Sequence, residues 1–363
     1  MSRLDLHVAD PPLVVVVGSG GVGKTTLAAA MGVESAQAGL DTLVMTFDPS
    51  LRLKDALGVG RAAEDEELDV PLDAEGRLAA SLLDAGKTFD RLVERYAEDE
   101  ASRRRILDNR YYRHLSGHLG GILEYMAVER LYEVAREKRY DRIILDTPPT
   151  TQAIDFLEAP RRIVDFLDSG ALKIALRPWF DSSGRLKTTS GLGFVGRGLE
   201  RFLDRIVGMQ LLRDMSEFFQ AFEPLFEGFH ERAAEVETLL SARSTIFALV
   251  TGPGEARIPD TTFFARRLVE TGHRLGPVLV NRVHPTFDVE AQQIAEGADL
   301  LQWLGASHEQ GLLELRRRFP DDQVLVSLPV EKEEPTDLAS LRAMGAEVQR
   351  QLVAPSPAGE RDA

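Results

Sequence analysis

Six short runs of apolar, mostly β-branched residues are spaced along the chain: "LVVVV" (13–17), "TLVMTF" (42–47), "RIILD" (142–146), "IFALVT" (246–251), "VLVNRV" (278–283) and "QVLVSL" (323–328). Each is apolar almost throughout, the pattern of a strand buried on both faces. A weaker run, "RLAASLL" (77–83), is a seventh candidate. Helical spacing separates the runs. Strands alternating with helices predict an α/β fold, a mostly parallel sheet covered by helices on both faces. No internal repeat is present.

Two segments depart from this alternation. Residues 85–139 are rich in charge at helical spacing, and residues 155–243 read as a long helical insertion without a strand pattern. Within the insertion, "DSSGRLKTTSGLGFVGRG" (181–198) is rich in Gly and Ser and is expected to be mobile. After it, Phe202, Ile206, Leu211, Met215, Phe218, Phe219, Phe222, Leu225, Phe226 and Phe229 recur largely at three- and four-residue steps. Such a stripe reads as the core of a helical subdomain or as an apolar surface for a client. Pro224 and Gly228 are expected to kink that helix. The predicted organisation is a single domain over 1–353 with a nucleotide-binding core at about 10–60, 140–160 and 244–335. The helical segments form a subdomain inserted in it, and 354–363 is a disordered tail.

The first strand candidate runs into "GSGGVGKT" (18–25), which fits G-x-x-x-x-G-K-[ST] between a strand and a helix. Gly20, Gly21, Val22 and Gly23 place backbone N–H groups around phosphate oxygens, and the helix N-terminus adds a favourable dipole. Lys24 is expected to reach the β- and γ-phosphates and Thr25 to ligate Mg²⁺, with Thr26 completing the nucleotide-binding stretch. The motif therefore implies ATP and Mg²⁺ as ligands of an α/β P-loop NTPase. Asp146 ends the strand "RIILD" and suits a second Mg²⁺ contact, or a cap of the turn that follows. Asp48 closes "TLVMTFD" before Pro49, where it can orient an attacking water or simply form an Asp-Pro turn.

Composition narrows the field further. The 363 residues include no cysteine, which excludes disulfides, thiolate metal sites and a cysteine nucleophile. His114 and His118 are placed to share a helix face, but no third metal ligand accompanies them. The formal net charge of −15 disfavours nucleic-acid binding. The basic runs "RRR" (103–105) and "PRR" (160–162) lie near acidic residues and read as solvated helix faces. No apolar run approaches the roughly 20 residues of a membrane helix. The opening "MSRLDLHVADPP" is too short and acidic for a signal peptide. The expected location is cytoplasmic, with a peripheral position at the inner membrane left open.

Taken in order, "GSGGVGKTT", "FDPSLRLKDAL", "EYMAVERL", "LDTPPTTQAIDFLEAP", "FALVTGPGEARIPDT", "LVNRVHP" and "VSLP" resemble the ATPase family that contains the arsenite-pump ATPase ArsA and the tail-anchored-protein targeting ATPases. These pieces span residues 13–329. The resemblance implies that Asp48 is the catalytic residue that positions water alongside Lys24, and that Asp146 is the second switch and Mg²⁺ contact. It also implies that Asn281 reads adenine and that Pro329 lies against the base. From its residues alone, Asn281 lies at a strand end, where its amide can bond an adenine edge or simply cap the strand. The implied activity is ATP hydrolysis by a dimer whose opening and closing serve a client protein or a membrane partner. Alternatives are a nucleotide-binding regulatory subunit with little hydrolysis, or a ParA- or MinD-like positioning ATPase.

Departures from the family pattern restrict that reading. Arsenite-binding cysteines and the CxxC zinc clasp of the eukaryotic targeting ATPases are absent, and a single P-loop is present. Family members usually carry a lysine at the position of Ser19, a lysine that reaches the nucleotide of the partner subunit. A serine cannot cancel developing phosphoryl charge. The sequence is thus similar to the serine-bearing member of paired bacterial ArsA-like ATPases. It leans towards a heterodimer with a lysine-bearing paralogue over a homodimer in which another cation such as Arg52 compensates.

Overall fold

The computed structural model describes residues 4–46, 53, 56–58, 67–96, 99–107, 122–148, 150–168, 225–286 and 298–354. By contacts these fall into two compact units, one built from 1–84, 131–154 and 238–363, the other from 85–130 and 155–237. Asp48, Arg52, His114, His118, the 181–198 segment, the apolar stripe from Phe202 to Phe222, Pro224 and residues 355–363 lie outside the described residues.

The first unit holds an eight-stranded sheet: β1 (Leu13–Gly18), β2 (Thr42–Thr46), β3 (Glu67–Asp69), β4 (Leu78–Leu82), β5 (Arg142–Asp146), β6 (Thr245–Thr251), β7 (Leu275–Val283) and β8 (Leu325–Pro329). Their order across the sheet is β3-β4-β2-β5-β1-β6-β7-β8, all parallel except for β3 against β4. The fold is that of an α/β P-loop NTPase. The six apolar runs are all strands, and the weaker run "RLAASLL" supplies β4, buried along its whole length. The last strand begins at Leu325, two residues after the start of the run "QVLVSL". β3 is an additional strand that no apolar run announced.

Continuous burial along β1, β2, β4, β5 and β6 requires cover on both faces. On one face Val14, Val16, Val44, Ile144, Ala248 and Val250 join a core with helix α1 (Lys24–Gln37) and with the last helix of the chain, Leu338–Val353. Leu341, Val348 and Leu352 of that last helix are buried against this core. Intervening residues such as Val15, Val17, Phe247 and Leu249 are equally buried and, by strand alternation, point the other way. Arg142 on β5 is fully buried. Its guanidinium donates to the Asp5 and Val8 carbonyls and to the Ser35 hydroxyl, tying the N-terminal segment to the sheet and α1. Loss of hydration lowers its pKa to about 10.

The second unit is helical where it is described. Helices α2 (Ala85–Tyr96) and α3 (Glu100–Leu107) lie wholly within it. It also takes in parts of α4 (Ile122–Glu137), α5 (Thr150–Asp168) and α6 (Leu225–Ser241). Arg103 pairs with Glu100 and Glu94, each at 2.8 Å, so this part of the "RRR" run is a solvated face shared with acids. Pro160 is accommodated inside α5, and Gly228 lies inside α6. A buried ion pair, Arg232 Nε to Glu129 Oε1 at 2.7 Å, links α6 to α4.

Candidate functional site

β1 delivers the chain to the sheet's carboxyl edge, and Gly18 closes it beside β6. A side chain at Gly18 would run into the Val250 carbonyl, so only glycine lets the two strands run this close. The loop 19–23 then turns into α1 through Gly23, whose φ of 92° belongs to the left-handed region. A Cβ at Gly23 would collide with the Asn281 amide nitrogen. Lys24 opens the helix with 7 % of its surface exposed, and its ammonium donates to the Ser19 carbonyl at 3.0 Å. The lysine therefore lies folded across its own loop.

Thr25, one residue on, donates its hydroxyl to Asp146 Oδ2 at 2.6 Å. Thr46, at the end of β2, donates to the same oxygen at 2.9 Å. The register explains the meeting: Asp146 ends β5 opposite Val16 of β1 and Thr46 of β2. A hydroxyl and a carboxylate at a strand end are hard oxygen donors, which suit Mg²⁺ held jointly with phosphate oxygens. Among the described residues no cluster of three or more His, Cys, Asp or Glu is placed to hold a metal unaided. The donor set and the glycine cradle both fit magnesium-bound nucleotide.

Across the loop, Asn281 is 4 % exposed and donates Nδ2 to the Val22 carbonyl at 2.9 Å, while Oδ1 accepts from the Arg282 N–H at 3.0 Å. A cavity of about 240 Å³ opens beside it, lined by Gly23, Thr26, Asn281, Arg282, Pro329 and Met344 among others. The structure thus gathers Gly23, Thr26, Asn281 and Pro329 round one space, and Thr25 with Asp146 at the next. Gly20 and Gly21 are exposed on the rim.

Three contributors escaped the reading of the sequence. Thr46 is a plain strand threonine until its register is known. Arg282 takes a positive φ of 64° and donates to the Gly21 carbonyl at 3.2 Å and to Glu334 at 2.9 Å, a bridge from loop to cavity wall. Arg257 reaches the Ser19 hydroxyl at 3.5 Å. Arg257 and Arg282 lie within the stretches "FALVTGPGEARIPDT" and "LVNRVHP", but nothing in those stretches assigns either of them to the glycine loop.

A family model described as anion-transporting ATPase matches residues 12–350. The chain belongs to that family. Among its relatives is an uncharacterised protein of Streptomyces coelicolor, 26 % identical over 328 residues, covering 87 % of this chain and 75 % of the relative. A protein of Aquifex aeolicus named "Putative arsenical pump-driving ATPase 2" is 27 % identical over 70 % of this chain and 84 % of its own. An ATPase named get3 of Aspergillus terreus is 27 % identical over 40 % of this chain and 42 % of its own. Membership in this family agrees with a nucleotide-binding loop at the end of β1. Among the described residues no helix is long and apolar enough to cross a membrane.

Proposed function

We propose that this member of the anion-transporting ATPase family is a Mg²⁺-dependent ATP hydrolase that works as a dimer, closing on ATP and opening after hydrolysis to act on a client protein or a membrane partner. The observation that carries the catalytic part is the 2.6 Å contact between Thr25 and Asp146 beside the glycine loop. When bound, Mg²⁺·ATP supplies the electrophilic phosphorus and a cation that offsets its charge. Lys24 would hold the β- and γ-phosphate oxygens. Thr25 and Asp146 would hold the metal. Asp48, two residues beyond the end of β2, orients the attacking water, and Asn281 and Pro329 hold the adenine. The reading puts the chain in the cytoplasm, with a peripheral position at the inner membrane where its partner is a membrane protein.

Serine at position 19 favours a heterodimer in which a lysine-bearing paralogue completes this chain's site, and a second reading is a nucleotide-binding regulatory subunit with little hydrolysis of its own. Calorimetry and single-turnover assays, with and without such a paralogue, separate the two. For the hydrolase, Lys24→Ala is expected to weaken ATP binding at least about tenfold, the scale of a charge-assisted hydrogen bond. Asp48→Asn is expected to keep ATP affinity within about threefold while kcat falls by about 10²–10⁴, because water positioning matters in the transition state. Unchanged ATP affinity in Lys24→Ala sinks the loop assignment. Wild type that binds ATP but does not turn it over even beside the paralogue supports the regulatory reading.

A further inference from the structure

Ser19 occupies the outer bend of the phosphate loop, half-buried, with a cation on either side. Lys24, inside, binds its carbonyl at 3.0 Å. Arg257, outside and exposed, places Nη1 at 3.5 Å from its hydroxyl. Arg257 ends a short 3₁₀ turn, Glu255–Arg257, just before helix α7 (Ile258–Glu270) and 238 residues from Ser19.

The backbone beneath Arg257 is fixed from several directions. Its N–H donates to the Gly254 carbonyl at 2.9 Å. Its carbonyl accepts from the Thr261 hydroxyl at 2.7 Å, and that hydroxyl lies 2.7 Å from the buried hydroxyl of Thr251. Thr251 ends β6, one residue past Val250, the register partner of Gly18. From the other side, helix α8 (Ala298–Arg318) presses Gly311 so close to the Pro253 carbonyl that no Cβ would fit. The turn is therefore indexed to the strand pair that launches the phosphate loop. A base fixed in this way leaves only the side chain's rotamers, and no backbone freedom, to be ordered when it meets a ligand.

The charge context points the same way. The chain carries a net charge of −15, yet Lys24, Arg257 and Arg282 all border this loop. Arg282 shares its charge with Glu334, whereas Arg257 meets a neutral hydroxyl. A guanidinium is always charged and binds phosphate oxygens with a rigid fork of donors.

We propose that Arg257 is the second cation of the phosphate loop, supplying the terminal phosphate of a bound nucleotide with positive charge that a serine at position 19 cannot. The proposal rests on the nucleotide-loop reading above but not on turnover. ATP carries the terminal phosphate and ADP lacks it, so the ratio of their affinities reports the contact. Fluorescence titrations with ATP and ADP are run on full-length wild type, Arg257→Ala, Arg257→Lys, Lys24→Ala and the double variant Arg257→Ala/Ser19→Lys. Thermal melts confirm folding.

Arg257→Ala is expected to lose about tenfold in ATP affinity while ADP affinity stays within twofold, as for one charge-assisted contact. Arg257→Lys should keep most of the ATP preference. With a dimer confirmed by light scattering, the lysine that the double variant adds across the interface should restore at least threefold of it. Where wild type turns ATP over, kcat in Arg257→Ala should fall on the order of 10²-fold. A wild-type ATP-to-ADP ratio in Arg257→Ala overturns the assignment, as does equal loss of both nucleotides with a lowered melt, which makes Arg257 part of the turn's scaffold. Should Lys24→Ala also bind both nucleotides like wild type, the loop reading itself falls.

Discussion

At the scale of single residues, Asn281 joins the loop to the cavity. Its amide commits one N–H to the Val22 carbonyl and one lone pair to the Arg282 N–H, leaving a donor and a lone pair for the edge of a base. Asn281→Ala strands the Val22 carbonyl in a buried place, which is expected to lower stability by about 1–3 kcal/mol in urea unfolding. If the amide also reads adenine, the preference for ATP over GTP shrinks about tenfold. An unchanged preference alongside the lost stability assigns Asn281 to bracing alone. Lys24 and Thr25 were legible in the sequence because their spacing from the glycines is local. Thr46, Arg257 and Arg282 were not, because each owes its place to a neighbouring strand or turn rather than to its own sequence context.

Among the elements, the last helix, α9 (Leu338–Val353), shows how a local signal and a tertiary one combine. Asp337 caps it, accepting from the Ser340 N–H at 2.7 Å, with the Ser340 hydroxyl closing the reciprocal box. That backbone hydrogen bond holds the Asp337 carboxyl below the usual carboxylate range. A carboxylate with a depressed pKa stabilises the fold above its unfolded pKa, and the contribution vanishes as pH falls through the folded value. Asp337→Ala should therefore lower Tm by roughly 1–3 °C near neutral pH. In calorimetric melts the gap to wild type should close progressively below about pH 4, the range where aspartate protonates. A gap that persists in acid assigns the effect to helix packing instead. The α9 apolar face, Leu341, Met344, Val348 and Leu352, is core. β4 looked weak because "LAASL" is poor in β-branched residues, yet its place between β2 and β3 buries it fully. β3, "ELD", is short and charged, and its pairing with β4 rather than its composition makes it a strand.

Across the whole molecule, the loop, the Asp146 cluster and the Asn281 cavity all belong to the sheet-bearing unit. A nucleotide that binds the folded unit alone stabilises it by mass action, about 2.7 kcal/mol at 100 times its Kd. Denaturant titrations of wild type with and without Mg²⁺·ATP should show that gain, and a Lys24→Ala variant that binds tenfold more weakly should show only about 1.4 kcal/mol at the same nucleotide concentration. A gain of equal size in Lys24→Ala would place the binding elsewhere. By itself the sequence determined the α/β class, the main strands and the glycine-rich loop between strand and helix. Apolar runs, helical spacing and glycine positions act over a few residues, so the chain announces them locally. Strand order and the company each strand end keeps were decided only in three dimensions. Thr25 meets Asp146 across 121 residues, Asn281 meets Val22 across 259, and Arg257 meets Ser19 across 238. Such meetings depend on which strands pair and in which register, and that choice is made by burying all the strands and helices together.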